Sequence, residues 1–321
     1  MKDPIPFGRY LLLERIDVGG TGEVFTARGP GGRRVAVKRL LPGLSADPEV
    51  VAAFLAEARI GSRLAHPGIV RVLDAGRQGE GWYLAMEYVP GADLAALLAG
   101  LRGAGRRLPV PVAARIGAEA ARALAHAHGP PGPGGVVHGD VSPQNVLVSF
   151  AGEVKLIDFG LAGDPGTGAP GAAAGGAPGG GPRGKLGYMS PEQAGGRAPD
   201  RRSDVFSLGV VLHEALTGAR LFQGASPLDT VERLLHAPVP APSAARPEVP
   251  APLDAAVLGA LARDPAARPD AAALAAALDP HADPRGAAAV AEVVVAELPE
   301  AWARERDGGR APARPGPGPG G

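Results

Sequence analysis

Apolar and polar residues alternate with the two-residue period of β-strands through residues 9–40 of this 321-residue chain. A further apolar run at 82–89 is closed by a Pro-Gly pair, which is a frequent end for a strand. Between the two lies a helix start: Asp47 is a capping acid, Pro48 suits the first helical position and Glu49 is a first-turn acid. These patterns predict a mainly β N-terminal region that contains one helix.

The remainder of the chain is mainly helical by the same criterion. Apolar residues recur at three- and four-residue spacing over 110–128, which predicts an amphipathic helix. The stretch 203–218 is apolar nearly all round, with Ser203 as its expected cap and a glycine at its end, so we expect a buried helix there. A last helix is predicted over 287–306, and the Gly/Pro-rich tail that follows is expected to be disordered.

Composition narrows the class of protein. The chain is 45% hydrophobic, and its length allows one large domain or two modest lobes. Lys and Arg (33) balance Asp and Glu (33), so a nucleic-acid partner is not favoured. The chain has no cysteine, which excludes thiol chemistry and fits a reducing cytoplasm. No signal peptide is recognisable, and the apolar run at 287–296 is too short to span a bilayer, so we expect a cytoplasmic protein without membrane insertion.

Candidate chemistry gathers around a predicted hairpin. The apolar runs 146–148 and 154–157 predict two short strands joined by a turn. Such a hairpin brings Asn145, at the start of one strand, close to Asp158, at the end of the other. Their hard oxygen atoms suit Mg²⁺ that is bound together with substrate phosphates. Asp140, five residues before Asn145, can then face a hydroxyl nucleophile.

These residues lie in V-V-H-G-D-V-S-P-Q-N-V-L-V at 136–148 and in I-D-F-G at 157–160. The two stretches resemble the catalytic loop and the metal-binding D-F-G of eukaryotic-type (Hanks-type) protein kinases, as found in bacterial serine/threonine kinases. The resemblance implies an α+β, two-lobed protein-kinase fold, with a small mainly β lobe and a larger mainly α lobe. The implied boundaries are a kinase domain over 1–280 (small lobe about 1–86, hinge about 87–91, large lobe about 92–280) and a C-terminal helix with a disordered tail over 281–321.

The resemblance also assigns roles. Asp140 positions the incoming hydroxyl and accepts its proton, while Asn145 and Asp158 bind Mg²⁺. ATP is the implied phosphoryl donor, and the implied acceptors are hydroxyl groups of protein substrates.

A glycine-rich turn resembles the G-x-G-x-x-G-x-V pattern of the same family. Gly19, Gly22 and Val24 match that pattern, and Gly20 lies in the same turn, whereas Asp17 replaces the first glycine. Glycines in such a turn let backbone N–H groups approach phosphates. An acid beside a triphosphate should weaken nucleotide binding somewhat, so Asp17 is a departure from a standard site.

A lysine and a glutamate of the small lobe are expected to pair. The strand period places Ala36 and Lys38 on one face, which suits a flat base with a phosphate tail. Glu57 shares a face of the predicted helix with apolar residues, where an unpaired carboxylate would be costly. Lys38 is the candidate partner, as in the strand-lysine to helix-glutamate pair of kinases. The alternatives are a snorkelling surface position for Lys38 and a solvated edge for Glu57.

The last predicted strand of the small lobe resembles the strand and hinge that bind adenine in kinases. The resemblance makes Met86 the gatekeeper and lets the backbones of Glu87 and Val89 bond adenine. Asp93 could bond the ribose or simply cap the next helix, and the two roles are compatible. Leu147 is assigned to the nucleotide site by the same resemblance.

The catalytic region departs from the family pattern at three positions. Gly139 replaces the usual arginine, Ser142 replaces the usual lysine, and Lys185 stands where threonine is usual. Lysine and hydroxyl thus appear exchanged between two positions that are neighbours in the family. We therefore expect Lys185 to supply the missing charge to the γ-phosphate from the opposite side of the cleft; the alternative is a solvated loop cation.

The loop at 159–184 is mostly Gly, Pro and Ala, and Thr167 is its only hydroxyl residue. In the family the arginine that Gly139 replaces holds a phosphorylated activation loop. Without that cation a loop phosphate has little to order it. We therefore expect activity that does not require phosphorylation of this loop.

Two later motifs imply structural roles. Asp204 matches the aspartate that tethers the catalytic-loop backbone, and Arg268 with Glu192 matches a structural salt bridge of the family. The M-S-P-E-Q motif resembles serine/threonine rather than tyrosine kinases. An ATP- and Mg²⁺-dependent serine/threonine protein kinase is the resulting hypothesis. The alternatives are a pseudokinase that senses nucleotide or acts as a scaffold, and a small-molecule kinase of similar fold.

Overall fold

The computed structural model describes residues 3–130, 135–159 and 185–308. Its N-terminal part is an antiparallel six-stranded sheet with the order β1-β2-β3-β4-β6-β5, and one helix crosses it between β4 and β5. These elements are β1 (Ile5–Phe7), β2 (Tyr10–Val18), β3 (Gly22–Arg28), β4 (Arg34–Leu40), α1 (Pro48–Arg63), β5 (Val72–Gln78) and β6 (Gly81–Glu87).

The strand period separates two apolar clusters on the two faces of this sheet. Val35 and Val37 of β4 pack into a cluster with Phe7 and Phe25. Ala36 lies in the other cluster, which includes residues of α1. The structure therefore confirms the strands that the alternation predicted. Helix α1 begins at the predicted cap, where the Asp47 carboxylate accepts the Glu49 N–H.

The predicted hairpin is confirmed as part of a small second sheet. Its strands are β7 (Gly91–Asp93), β8 (Val146–Ser149) and β9 (Val154–Leu156), with β8 pairing both others. Val146 is paired with Leu156, so the end of β9 lies beside the start of β8. Gly152 turns the chain at a φ of 82°, and a Cβ there would lie 1.8 Å from the Ala287 carbonyl oxygen.

The rest of the described chain is helical around one large apolar core. α3 packs against α5 and α9, and α5 packs against α8. The helices are α2 (Leu94–Gly103), α3 (Val110–His128), α4 (Pro191–Ala194), α5 (Arg201–Thr217), α6 (Pro227–His236), α7 (Pro242–Ala245), α8 (Ala251–Ala260), α9 (Ala271–Leu278), α10 (Ala287–Glu297) and α11 (Pro299–Gly308). The fold is therefore the expected α+β arrangement, with a β-rich N-terminal part and a helical C-terminal part.

Helix α5 is buried along its length, as predicted, but its expected cap is wrong. The capping residue is Asp200, whose carboxylate accepts the N–H groups of Arg202 and Ser203. Ser203 instead lies in the first turn, and its hydroxyl accepts the Asp200 N–H at 3.1 Å. A carboxylate three residues upstream therefore outcompetes the serine as the cap.

The single C-terminal helix predicted over 287–306 is two helices, α10 and α11. The break lies at Leu298, because Pro299 lacks an N–H and begins a new helix more easily than it continues one. The expected disordered tail and the loop with Thr167 lie outside the described residues. Within the described ranges, no helix combines the length and the apolar character needed to cross a membrane.

Candidate active site

Lys38 of β4 joins the small lobe to the predicted metal site. Its Nζ lies 2.7 Å from Glu57 Oε1 of α1 and 3.3 Å from Asp158 Oδ1, just after β9. The Lys38 side chain is only 12% exposed. The contacts match the predicted pairing, and neither a snorkelling Lys38 nor a solvated Glu57 describes this structure.

The three charges shift one another's pKa values. Burial alone would lower the pKa of Lys38, but the charges of Asp158 and Glu57 outweigh it and raise that pKa. Burial would raise the pKa of Asp158, yet the charge and hydrogen bond of Lys38 lower it. For Glu57, burial and the nearby Asp158 raise the pKa against the pull of Lys38. Lys38 therefore stays a cation and Asp158 an anion at neutral pH.

Asp158 also has an unusual backbone. At a φ of 61° it is the one non-glycine residue with positive φ in the described part of the chain. Such a conformation is disfavoured for a residue with a Cβ and is found mostly where a site requires it. It turns the Asp158 carboxylate toward Lys38, as the hydrogen bond between them shows.

Asn145 is held by the residue that is expected to receive the substrate proton. Its Nδ2 donates to the backbone carbonyl of Asp140 at 2.7 Å and to Asp140 Oδ2 at 2.9 Å. The Asn145 carbonyl accepts the Ile157 N–H at 3.1 Å, which fixes Asn145 next to the segment that carries Asp158. With its amide nitrogen so engaged, Asn145 keeps its side-chain oxygen as a possible ligand.

Of the two exchanged residues, Lys185 lies beside Asp140 and Ser142 is buried. Lys185, just before a short 3₁₀ turn at Leu186–Tyr188, forms an ion pair with the carboxylate of Asp140. The Lys185 side chain is 30% exposed, so it borders the cleft rather than the core. Ser142 is fully buried, and its hydroxyl has no hydrogen-bond partner within the described ranges. Lys185 is therefore the ammonium group that lies at Asp140.

A buried scaffold holds the loop that carries Asp140. The Asp204 carboxylate accepts the N–H groups of His138 at 2.8 Å and Gly139 at 2.7 Å, as the sequence implied. His128 Nε2 lies 2.7 Å from the same carboxylate. Gly139 has a φ of 77°, a region that glycine enters without the steric penalty of a Cβ.

Gln193 was not predicted as a site residue, although it lies in the M-S-P-E-Q motif. Its Nε2 donates to the Gly139 carbonyl at 2.8 Å, so it holds the catalytic loop in addition to Asp204. The link spans 54 positions along the chain, and no local pattern signals it. No role at the site was predicted for His128, and its bond to Asp204 was missed for the same reason.

The proposed adenine end of the cleft is apolar. Ala36 and Met86 belong to one buried cluster, and half-buried Val24, Val89 and Leu147 pack against it. A further member, Ile157, was missed in the sequence because it was assigned only to a strand. The predicted lining residues thus come together on one apolar surface, which suits a flat base.

The hinge residues are partly committed to other bonds. The Glu87 N–H donates to the Arg71 carbonyl at 2.9 Å, which leaves the Glu87 carbonyl as its group for adenine. The Glu87 side chain instead accepts from buried Lys155 at 3.0 Å. Asp93 caps α2 by accepting the Ala96 N–H at 2.8 Å. Burial raises the pKa of Asp93, and the charge of Asp17 adds to the effect.

The glycine-rich turn between β2 and β3 is closed by the Gly19 N–H, which donates to the Gly22 carbonyl at 2.8 Å. A Cβ at Gly22 would lie 2.8 Å from the Arg39 carbonyl oxygen, so this position requires glycine. Gly20 faces open space. The Asp17 carboxylate accepts the Val18 N–H at 2.8 Å, which is a hydrogen bond to its own neighbour in the chain.

The site fits Mg²⁺ only if substrate oxygens complete the ligand set. Within the described ranges, no three His, Cys, Asp or Glu side chains gather to hold a metal unaided. Asp158 and Asn145 supply two hard oxygen ligands beside the cleft, and Mg²⁺ commonly binds one or two such groups together with phosphates and water.

The site of a protein kinase is defined by three features: a strand lysine paired with a helix glutamate, an aspartate that can bind a metal, and a catalytic-loop aspartate beside an asparagine. The family described as the protein kinase domain matches residues 10–277. The chain therefore belongs to the protein kinase domain family, whose members generally use ATP and Mg²⁺.

Several bacterial kinases are similar to this chain. Tyrosine-protein kinase MasK of Myxococcus xanthus is 39% identical over 286 residues, which cover 85% of this chain and 43% of MasK. Serine/threonine-protein kinase PknB of Mycobacterium tuberculosis is 39% identical over 266 residues, covering 80% of this chain and 40% of PknB. The chain thus spans about two fifths of the length of these curated relatives.

The solved structures support the same fold. The crystal structure of the Mycobacterium tuberculosis PknI kinase domain superposes with a TM-score of 0.65 at 29% sequence identity. The match covers 88% of this chain and all (100%) of the PknI chain. The two-lobed protein-kinase fold expected from the sequence is therefore confirmed.

Proposed function

We propose that this chain is an ATP-dependent serine/threonine protein kinase that transfers the γ-phosphoryl group to a protein hydroxyl. The observation that carries the proposal is the closed ion pair between Lys38 and Glu57, which also reaches Asp158. A lysine that is held in this way by two carboxylates is positioned for phosphate before any nucleotide arrives. Because phosphoryl transfer relies mainly on positioning and electrostatics, such preorganisation is what the reaction requires.

Each residue has a distinct task in the proposed mechanism. Lys38 binds the α- and β-phosphates, and Glu57 keeps its ammonium group in place. Asp140 accepts a hydrogen bond from the incoming hydroxyl, orients its oxygen and takes its proton as the new P–O bond forms and the bond to the β-phosphate oxygen breaks. Asn145 and Asp158 hold Mg²⁺, which when bound supplies positive charge to the phosphate oxygens.

Lys185 is the proposed cation for the γ-phosphate. The support is its ion pair with Asp140, which places an ammonium group beside the residue that receives the acceptor hydroxyl. In this family a catalytic-loop lysine usually carries that charge, but its position here is the buried Ser142. A cation beside the transferring group stabilises the charge that develops in the transition state.

Nucleotide binding is proposed to use the apolar surface around Ala36 and Met86 for the base. The Glu87 carbonyl and the Val89 N–H are the proposed hydrogen-bonding groups for adenine, and Asp93 is proposed to reach the ribose. Gly19, Gly20 and Gly22 are proposed to bring backbone N–H groups to the phosphates.

Serine and threonine are the proposed acceptors. PknB is named a serine/threonine kinase, whereas MasK is named a tyrosine kinase. The M-S-P-E-Q motif at 189–193 favours the former class. We further propose a cytoplasmic location and activity that does not depend on loop phosphorylation, which predicts that Thr167→Ala retains full turnover.

The decisive experiment is phosphoryl transfer from labelled ATP with Mg²⁺, to the chain itself and to a generic protein substrate. Asp140→Asn is the matched control, since it keeps the shape of the side chain and removes the proton acceptor. We expect transfer by the wild type and a loss of about 1000-fold or more in the variant. Acid hydrolysis of the product then distinguishes phosphoserine and phosphothreonine from phosphotyrosine.

A pseudokinase is the second candidate, and the substitutions Asp17, Gly139 and Ser142 favour it. It predicts that Mg·ATP binds, as followed by calorimetry, while wild type and Asp140→Asn show the same negligible transfer. The kinase proposal fails on that result.

A further inference from the structure

The C-terminal helices α10 and α11 are anchored in the large lobe. Ala289, Val290 and Val294 of α10 are buried in the large core. Trp302 of α11 packs against the same core, and its ring centroid lies 5.1 Å from that of Phe150. Both helices lie beyond residue 277, where the match to the kinase family ends.

The polar end of α11 reaches the small lobe. The Glu305 carboxylate accepts a hydrogen bond from the Tyr88 hydroxyl at 2.9 Å and forms an ion pair with the Arg34 guanidinium. Arg34 also stacks on Tyr88, with its Cζ 4.2 Å from the ring centroid. The side chains of Glu305 and Arg34 are only 18% and 32% exposed, so solvent screens the pair less than a surface pair.

These contacts involve residues that adjoin the proposed adenine-binding groups. Tyr88 is the residue between Glu87 and Val89, whose backbones are proposed to bond adenine. Arg34 precedes Val35, which is paired with Glu87 in the sheet. Burial raises the pKa of Tyr88 to about 12, and the bond to Glu305 adds to the effect, so the hydroxyl remains a donor at neutral pH.

We propose that Glu305 is a positioning residue for ATP: through Tyr88 and Arg34 it holds the hinge and the edge of β4 against a helix anchored in the large lobe. The inference rests on the proposed kinase function. Glu305 touches no substrate, and it acts by favouring the arrangement of the two lobes in which the cleft accepts nucleotide.

The physical reason is a population shift. The link from Glu305 to Arg34 and Tyr88 is made in the lobe arrangement seen here and is lost when the small lobe rotates away from α11. A contact present in one arrangement favours it by the free energy of that contact. Its removal should weaken nucleotide binding and leave the transfer step unchanged, because the residues around Asp140 are untouched.

The test compares Glu305→Gln with a control from the same C-terminal segment. Glu292 pairs with Arg285 at 2.7 Å, but both side chains are exposed and neither touches the hinge, so Glu292→Gln removes a carboxylate without removing the link. We expect Glu305→Gln to raise the Kd of Mg·ATP, measured by calorimetry, about 5-fold, with kcat at saturating ATP within about twofold of wild type. Glu292→Gln should match wild type in both.

Two further variants separate positioning from general stability. Tyr88→Phe removes only the hydroxyl and should raise the Kd about 2- to 3-fold. The reversed pair Arg34→Glu with Glu305→Arg should restore more than half of the binding lost in the Arg34→Glu single variant, a rescue that a merely structural role for Glu305 does not require.

A thermal unfolding curve accompanies each binding measurement. A lower Tm for Glu305→Gln with a Kd equal to that of Glu292→Gln would overturn this inference alone. A wild-type chain that takes up no Mg·ATP would overturn the proposed kinase function together with it, so the two failures are distinguishable.

Discussion

Two clusters of ion pairs in this protein are built in opposite ways. The pair of Arg268 and Glu192 is closed on all sides: the Arg268 side chain is 0% exposed, and its two bonds to the Glu192 carboxylate are 2.7 and 2.9 Å long. Glu192 also accepts from the Ser203 hydroxyl at 2.6 Å, and Arg268 donates to three backbone carbonyls. This cluster satisfies its own groups.

The cleft cluster leaves its groups partly unsatisfied. Three carboxyl groups (Glu57, Asp158, Asp140) face two ammonium groups (Lys38, Lys185), so the carboxyl groups outnumber the cations by one. The Asp158 side chain is 33% exposed and its backbone is strained. Charged groups that are not fully paired suit a site that receives a metal and phosphates, whereas fully paired groups suit a salt bridge that stabilises the fold. The comparison predicts that the first cluster governs stability and the second governs activity.

The largest expected effect is on the salt bridge of Arg268 and Glu192. Arg268→Ala leaves the Glu192 carboxylate buried and unpaired, which should cost about 3–5 kcal/mol in the free energy of unfolding. Urea unfolding measures it. The control Arg285→Ala removes an exposed arginine and should change stability by less than about 0.5 kcal/mol. Equal urea midpoints for the two variants would contradict the claim that the Arg268–Glu192 cluster governs stability.

Acid should weaken the same salt bridge. Burial would raise the pKa of Glu192, but the hydrogen bonds from Arg268 and Ser203 lower it from 4.5 to about 2. Because the folded-state pKa lies below the unfolded one, the stabilisation is complete above pH 4.5 and is lost as the pH falls through 2. The loss is roughly 3 kcal/mol.

Unfolding free energies of wild type and Glu192→Gln between pH 2 and 6 measure this effect. The variant should be less stable at pH 6 and show a flatter pH dependence over this range. Parallel curves for the two proteins would contradict the depressed pKa of Glu192.

In the cleft, Lys38→Met should reduce kcat/KM by about 100-fold while shifting the free energy of unfolding by about 1 kcal/mol or less. The lysine is shared between two carboxylates, and removing it abolishes its phosphate contact, while Glu57 can take up a proton because its pKa is raised. Steady-state kinetics with urea unfolding of the same preparation measures both. A variant that unfolds like Arg268→Ala would erase the proposed distinction between the clusters.

The smallest expected effect sharpens the comparison within the cleft. Lys185→Met should lower kcat about 10-fold with little change in the KM for ATP, since the charge is proposed to act on the transferring group. Lys185→Arg, which keeps the charge, should retain most of the turnover. The exchange Ser142→Lys with Lys185→Thr should also recover activity relative to Lys185→Met. An unchanged kcat in Lys185→Met would make Lys185 a solvated loop cation.

Much of this arrangement could be predicted because it follows from short-range patterns. Strand alternation separated Val35 and Val37 from Ala36, and the hairpin brought Asn145 next to the segment of Asp158. The Glu192–Arg268 pair was found through motif resemblance and is confirmed. The wrong predictions arose where two nearby residues carried similar signals for the start or end of a helix.

Two helix ends were predicted wrongly in this way. Asp200 rather than Ser203 caps α5, and Pro299 divides a segment whose helical pattern is otherwise continuous. At each of these positions more than one residue could cap or end the helix. Which residue does so depends on backbone angles that the sequence pattern does not contain.

The sequence by itself determined the strand and helix periods, the glycine turns and the identity of the chemical groups, because each depends on residues a few positions apart. Only the tertiary structure decided the distant contacts that no motif signalled. Glu305 is 271 positions from Arg34 and 217 from Tyr88, and Gln193 is 54 from Gly139. Such contacts depend on how the lobes and the C-terminal helices pack together, and packing is a property of the whole core rather than of any segment.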